Sequence, residues 1–586
     1  MRGTLMSRLR TDVRAAARRW LHAGACPLAC AVVLAAASPR AYGAPLRERI
    51  LWQEDDRRDV PAAPAARDPN AVWTSTNETL LRPIGRLVNP VRLGRRVGTL
   101  FGGENVHDAA DVNALGEVSN STWFTNRIGL FPLSPERVRL GPGDGEGPST
   151  EGSWTVIRAK TQGVTPGFDI RDVQGHVYLI KFDPPGELGT TSAAAAITGR
   201  ILHAAGYNVP DDGVVSFTRD RLAVAGKATI RDARGVKRAM TEADLDTILG
   251  RVDRLPDGRW LAIASRFLDG TPLGPFSYKG IRRDDPNDNL RHEDRRKLRA
   301  LRMFCAWLNH WDMKEQNSLD MYVEEGGRRY VRHHLIDFAS TLGAAAGGGA
   351  QPRFGKEHTL DFPAIGGRLL ALGFHEDDWR RSHRPEGLAE VGYFESRGFQ
   401  PMEWKPLQTN VAFANMNSHD GYWAAKVISA FTDEHLRAAV STGRYRNPEA
   451  AAYVTRILAA RRDAIARYWF DRLPPLDFFV VRGDAVLFHD LGAERRLYPG
   501  ATSRYRVRCA AVNSDRSASR WTEWADLVKT EVSLASGPAA EAVKGAGDAN
   551  RPFLAMDVQA SRGNGWSRSV RAYVSRASGT VIAVER

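Results

Sequence analysis

The chain has 586 residues, 43% hydrophobic and 26% charged, which suits a soluble protein of about three or four domains. Its 82 basic and 68 acidic residues leave a net charge of +14, yet residues 1–43 alone hold seven Arg against one Asp. The remaining excess is modest, and no basic motif interleaved with aromatic residues is present, which argues against a nucleic-acid partner.

Residues 1–43 read as a signal peptide. Arg8, Arg10, Arg14, Arg18 and Arg19 precede an apolar run from 26 to 37 that is too short to span a bilayer. Ala41 and Gly43 then supply the small residues of a cleavage site, so the mature chain is expected to begin near Ala44 and to be periplasmic or secreted. No later segment is long and apolar enough for a membrane helix. Cys26 and Cys30 lie in this segment. Cys305 and Cys509 are expected to be buried free thiols, and no Cys/His spacing suggests zinc.

Residues 44–150 read as an irregular extension ending in a Gly/Pro-rich linker at 141–148, with Trp123 and Phe124 docking on the main body. Strands are expected at 154–160, with Trp154, Val156 and Arg158 on one side, then at 168–171 and 176–182, the last two joined by a tight turn at 172–175. A helix over 191–205 ends at Gly206, and strands follow at 213–217 and 259–268. The acidic stretch at 284–294 reads as a solvated loop with a helix cap at Asp288 or Asn289. Residues 295–310 form a buried helix with Arg and Lys opposite its apolar face, and further helices lie within 431–469. After Pro475, alternation at 503–512 predicts a strand with an Arg-lined outer face, and more strands follow at 553–560, 569–575 and 580–585.

The densest chemistry lies at His310-Trp311-Asp312-Met313-Lys314-Glu315-Gln316-Asn317, followed by Ile336-Asp337-Phe338. Phosphoryl transfer needs one carboxylate to orient a hydroxyl, a nearby Lys, and an Asn and a second Asp to hold a metal. Five residues separate Asp312 from Asn317, and a short hairpin would return the chain to Asp337. Here the sequence resembles the protein-kinase-like superfamily, with the longer gap and the Ile-Asp-Phe ending of its HipA-type and phosphoinositide-kinase branches. The flanks resemble exported bacterial proteins of unassigned function that share this middle.

The resemblance implies an α+β fold: a two-lobed kinase-like core, with an antiparallel β small lobe at 151–275 and a helical large lobe at 276–475. A β-sandwich-like domain at 476–586 follows, in which Arg520-Trp521-Thr522-Glu523-Trp524 resembles the tryptophan-rich turn of fibronectin type III modules. It also implies roles. Asp312 would act as base, Lys314 as charge stabiliser, and Asn317 and Asp337 as ligands of magnesium. Lys181 would reach the phosphates of ATP or another donor beneath a loop bearing Gly163 and Gly167. The following helix holds no acid from 188 to 205, so only Glu187 stands where a carboxylate partner for Lys181 is expected. The acceptor would be a protein, lipid or carbohydrate of the cell envelope. An inactive pseudokinase scaffold is the alternative. A carbohydrate-adhesion protein, suggested by the C-terminal domain and 15 Trp, is a third reading.

Overall fold

The computed structural model describes residues 45–67, 79, 107–143, 147–160, 165–232, 234–347, 349–371, 376–544, 550–563 and 565–586. The expected signal segment and Gly163 lie outside the described residues. The architecture is mixed α+β.

Tight turns and alternating apolar residues build the first sheet. It comprises β1 (Trp154–Ala159), β2 (Gly167–Arg171), β3 (Val177–Phe182), β4 (Asp212–Phe217), β5 (Leu222–Arg231), β6 (Lys237–Ala239) and β7 (Trp260–Arg266), in the order β4-β7-β3-β2-β1-β5-β6. The β2–β3 turn is closed by Asp172, whose Oδ1 accepts from the backbone of Gln174 and His176. All neighbours run antiparallel except β1 and β5, which are parallel. A bulge between Val156 and Arg158 breaks the expected alternation: Arg158 turns outward and Ala159 takes the buried side.

Helix α1 (Thr190–Ala205) covers one face of this sheet and is buried along nearly its whole length, because Ala side chains let it lie close to the strands. Its N-terminus is capped from the end of β3. Asp183 Oδ1 accepts from the backbone N–H of Thr191 and Ser192, both at 2.8 Å, and Oδ2 from Gly189 at 2.9 Å. The helix ends at Gly206, where φ is 131° and the Phe124 ring occupies the space a Cβ would need. Helix α2 (Glu242–Leu249) packs on the opposite face.

In the helical half, α3 (Arg296–Leu308) is surrounded by α4 (Ser418–Ser429) and α6 (Pro448–Phe470), with α5 (Asp433–Ser441) between α6 and α1. Arg296, Lys297 and Arg299 of α3 are as buried as its apolar face. Arg296 pairs with Asp420 at 3.0 Å, Lys297 with Glu54 at 2.5 Å and Arg299 with Asp294 at 2.6 Å. The acidic stretch before it is likewise not a solvated loop. Asp285 and Asp288 are buried, and Asp288 pairs with His292 at 2.6 Å and Arg295 at 3.1 Å. Strands β8 (Thr271–Pro272), β9 (Ser318–Glu325) and β10 (Arg328–Leu335) form a second sheet beside it. On β10, His333 bonds Asp320 at 2.6 Å and stacks on Trp123 at 3.6 Å, whereas the buried His334 is pushed down to about 3 by burial.

The C-terminal region holds two sheets around one core of Leu476, Val486, Val507, Val558 and Val570. One is β11 (Leu476–Arg482), β12 (Ala485–Asp490) and β15 (Glu531–Ser533). The other is β13 (Arg504–Val512), β14 (Ala525–Leu527), β16 (Phe553–Ser561), β17 (Val570–Ser575) and β18 (Thr580–Glu585). The outer Arg face of β13 is covered by tryptophan. The Arg506 guanidinium lies 4.3 Å from the Trp566 ring and 4.4 Å from Trp524, and Arg508 lies 4.8 Å from Trp524 and 4.9 Å from Trp521. Cys305 and Cys509 are free and buried in separate cores, as expected.

The extension is a strap rather than a loose leader. Leu46 enters the C-terminal domain with Val512, Phe553 and Tyr573, and its N–H bonds Ser514 O at 2.8 Å. Glu54 then reaches Arg295 and Lys297 beside α3, and the Val60 N–H bonds Arg329 O on β10 at 2.7 Å. Among the described residues, no helix is long and apolar enough to cross a membrane.

Candidate functional site

Lys181 points from β3 toward the layer beneath α1. In the ladder it lies opposite Ile263 of β7, which lies opposite Val214 of β4, and both apolar residues belong to the core shared with α1. Paired residues in a ladder point to the same side of the sheet, so Lys181 enters this layer too. Its Nζ donates to Asp337 Oδ1 at 2.9 Å. Asp337 follows β10 with φ 62°, a left-handed conformation that Asp tolerates better than most side chains.

The same end of the β9–β10 hairpin gathers the other predicted residues. The Ile336 N–H bonds Asn317 O at 3.0 Å, so Asn317 lies beside the chain that carries Asp337. Asn317 Nδ2 donates to Asp312 O at 2.6 Å and to Asp312 Oδ2 at 3.2 Å. Lys314 Nζ pairs with Asp312 Oδ2 at 2.8 Å. Behind them His310 is buried against Phe338, and burial pushes its imidazole down to about 4 although Asp312 and Asp337 favour the charged form. Asp312, Lys314, Asn317, Asp337 and Lys181 therefore lie close together.

Two of the expected positions behave otherwise, and a third is not described. Glu187 does not pair with Lys181; its carboxylate is held by Arg384. Gly167 is a packing glycine, because a Cβ there would lie 2.3 Å from Ile180 O. Gly163 lies outside the described residues. The N-terminus of α1 offers no free anion site, since the Asp183 carboxylate already caps it.

Sequence reasoning missed two contributors. Lys160 follows β1 and donates to Thr165 O at 2.7 Å and Thr165 Oγ1 at 2.8 Å. Burial lowers its ammonium to about 8, Lys181 adds to the depression, and Asp337 opposes it. Asp212, at the start of β4, is buried and sits near α1 and Phe338 around Gly199. A lysine after a strand and an acid at a strand start are ordinary in sequence, and only the fold brings them to one place.

The charges explain one another. The Lys181 charge chiefly holds the Asp337 carboxyl below its usual range against burial, and Lys314 and Lys160 assist. Burial works against the Lys181 ammonium, but Asp337 and then Asp212 outweigh it and raise its pKa.

No family model, curated protein or solved structure matches the chain.

The donor set can be judged on its chemistry. Lys181 takes one oxygen of Asp337, whose side chain is 46% exposed, and the Asn317 amide nitrogen faces Asp312. A carboxylate and an amide oxygen suit a hard cation such as magnesium, which keeps several waters and shares its remaining positions with phosphates. Among the described residues no group of three or more His, Cys, Asp or Glu is placed to hold a metal alone.

Proposed function

We propose that the chain is an exported, atypical kinase-like protein that transfers a phosphoryl group from ATP or another donor, with magnesium, to an acceptor hydroxyl of the cell envelope. One observation carries this reading: the 2.9 Å pair of Lys181 with Asp337, which joins the first sheet to the hairpin end where Asp312 and Asn317 converge. The opening order of the first sheet, the β1–β2 hairpin, β3, helix α1 and β4, supports it, with β5, β6, α2 and β7 following.

In this reading Lys181 and Lys160 orient the donor's phosphates, and Asp337 with Asn317 would hold the metal. Magnesium, when bound, neutralises charge on those phosphates. Asp312 orients the acceptor hydroxyl and takes its proton as the new O–P bond forms, while the bond to the donor's leaving oxygen breaks and the shortened donor departs. Lys314 steadies the Asp312 carboxylate and faces the incoming group.

The second reading, an inactive pseudokinase scaffold, is favoured by the absence of any acid on α1 facing Lys181. Turnover of magnesium-ATP separates the two. For an enzyme, Asp312→Asn keeps nucleotide binding and loses about 10²–10⁴ in rate. A wild-type chain that binds nucleotide and turns none over favours the scaffold; one that binds none removes the enzyme and leaves the scaffold.

A further inference from the structure

A cavity of about 1080 Å³ lies between the 128–133 segment, Trp52 of the strap and the edge strand β11, and it shares no lining residue with the site around Asp312 and Asp337. Most of its wall is apolar. The β11–β12 ladder shifts register between Asp477 and Val480, and Phe478 holds φ 51°, a conformation rare for a bulky residue. Phe478, Phe479 and Val480 thereby line the cavity in succession. Trp52, Phe131 and Val480 leave much of their side chains exposed on this wall, an apolar surface of the kind that marks a binding site. The charges on the wall are unequal. Its acids are engaged: Glu117 with Lys426, Asp477 with Arg586 at 2.8 Å, and Glu494 with His489 at 2.8 Å. Its arginines are not. Among the described residues neither Arg482 nor Arg495 has a side-chain hydrogen bond or ion pair, and Arg495 Nε is buried.

We propose that this cavity binds an amphipathic anion, a single acyl chain headed by a carboxylate or a phosphate, with the head at Arg495 and the chain along β11 toward Arg482. The ladder sets this direction. His489, paired with Glu494 next to Arg495, stands opposite Asp477, and Arg482 stands opposite Ala485, so about 15 Å of strand separates the two ends. The head belongs at Arg495 because its Nε is enclosed with no partner, whereas Arg482 is exposed to water. Burial works against the Arg495 charge although Glu494 favours it, and a bound anion would restore what burial removes. The acyl chain would cover the apolar wall that the fold leaves open.

The test is isothermal titration calorimetry of the full chain with probes kept below their micelle concentrations. Dodecanoate and dodecyl phosphate should bind, and the tighter of the two names the head. Decanoate should bind about fifteenfold more weakly than dodecanoate, because each buried methylene multiplies affinity about fourfold. Uncharged dodecanol should bind at least about tenfold more weakly than dodecanoate. Arg495→Gln breaks no ion pair of the fold; it should weaken dodecanoate at least about tenfold and leave dodecanol unchanged, while Arg482→Gln should cost less than about threefold. Val480→Glu, at an exposed wall position, should weaken dodecanoate as much as Arg495→Gln does and covers an Arg495 variant that does not fold. No binding of either dodecyl anion, equal binding by Arg495→Gln, equal affinity for dodecanol, or inorganic phosphate binding as tightly as dodecyl phosphate overturns the proposal. Binding of an extended apolar peptide without binding of dodecanoate also overturns it, and makes the β11 edge a protein-docking site.

Discussion

Asp337→Asn isolates the metal-binding task of the site. Asn keeps the shape and tolerates the left-handed backbone at φ 62°, so the change removes charge with little strain. In the free protein the attraction across 2.9 Å is about 6 kcal/mol at an effective dielectric of about 20. Asp337 is 46% exposed, so screening and the burial of Lys181 cancel most of it, leaving about 1 kcal/mol. The variant should therefore melt about 2–4 °C lower. The ligand effect is larger. Magnesium-nucleotide at about a hundred times its Kd stabilises the native state by about 2.7 kcal/mol, a rise of about 5–10 °C. Differential scanning fluorimetry, with nucleotide and with or without magnesium, should show that increment in the wild type and lose it in Asp337→Asn. A variant that keeps more than half of the magnesium increment refutes the metal assignment. A wild type with no increment at millimolar nucleotide removes the enzymatic reading.

Three further outcomes test the framework around the site. Glu54→Ala strips a shared carboxylate from Arg295 and Lys297, each 1% exposed, and should cost about 3 kcal/mol in urea denaturation even though Asp288 and Asp111 remain nearby. Gly206→Ala places a Cβ 2.2 Å from the Phe124 ring at φ 131° and should cost about 2–4 kcal/mol by the same measurement; a loss under 1 kcal/mol would contradict the close packing. Acid should destabilise the fold. His310 and His334 are depressed to about 4 and about 3, so the unfolded chain takes up their protons first, near pH 6.5, and stability falls below that pH. Asp212, raised to about 6, binds its proton first in the folded state and offsets part of the loss. From pH 7 to pH 5 these groups together should remove about 2 kcal/mol, read from urea midpoints, and His310→Gln should flatten the slope.

Local features of the fold were legible because their causes are local. The turn at 172–175 and the stop at Gly206 each need only a few neighbouring residues. The Asp312, Asn317 and Asp337 set was legible because one hairpin spans it. What failed needed distant partners. The Arg and Lys of α3 imply a solvated face only if their carboxylates are unknown, and Glu54 lies some 240 residues earlier. The bulge in β1 follows from its pairing with β2 and β5, which alternation within one strand does not report. Strands β5 and β6 and helix α2 were not anticipated at all. Glu187 was nominated for its place in sequence, and Arg384, 197 residues away, decided otherwise.

The strap sets the order in which the molecule is completed. Leu46 bonds to Ser514, Glu48 accepts from Ser575 Oγ across 527 positions, and Val60 meets Arg329. Leu46 and Glu48 are made long before their partners in the last sheet, Glu48 527 positions ahead of Ser575. The first segment waits, extended and unpaired, while nearly the whole chain emerges, and its seat in the last domain exists only after β13, β16 and β17 have assembled. Closing so large a loop adds little entropy cost at equilibrium, because that cost grows only with the logarithm of length, but it delays the final step. The native state is thus sealed at both ends at once. Removing residues 45–48 should loosen the last sheet, and trimming β18 should loosen the strap.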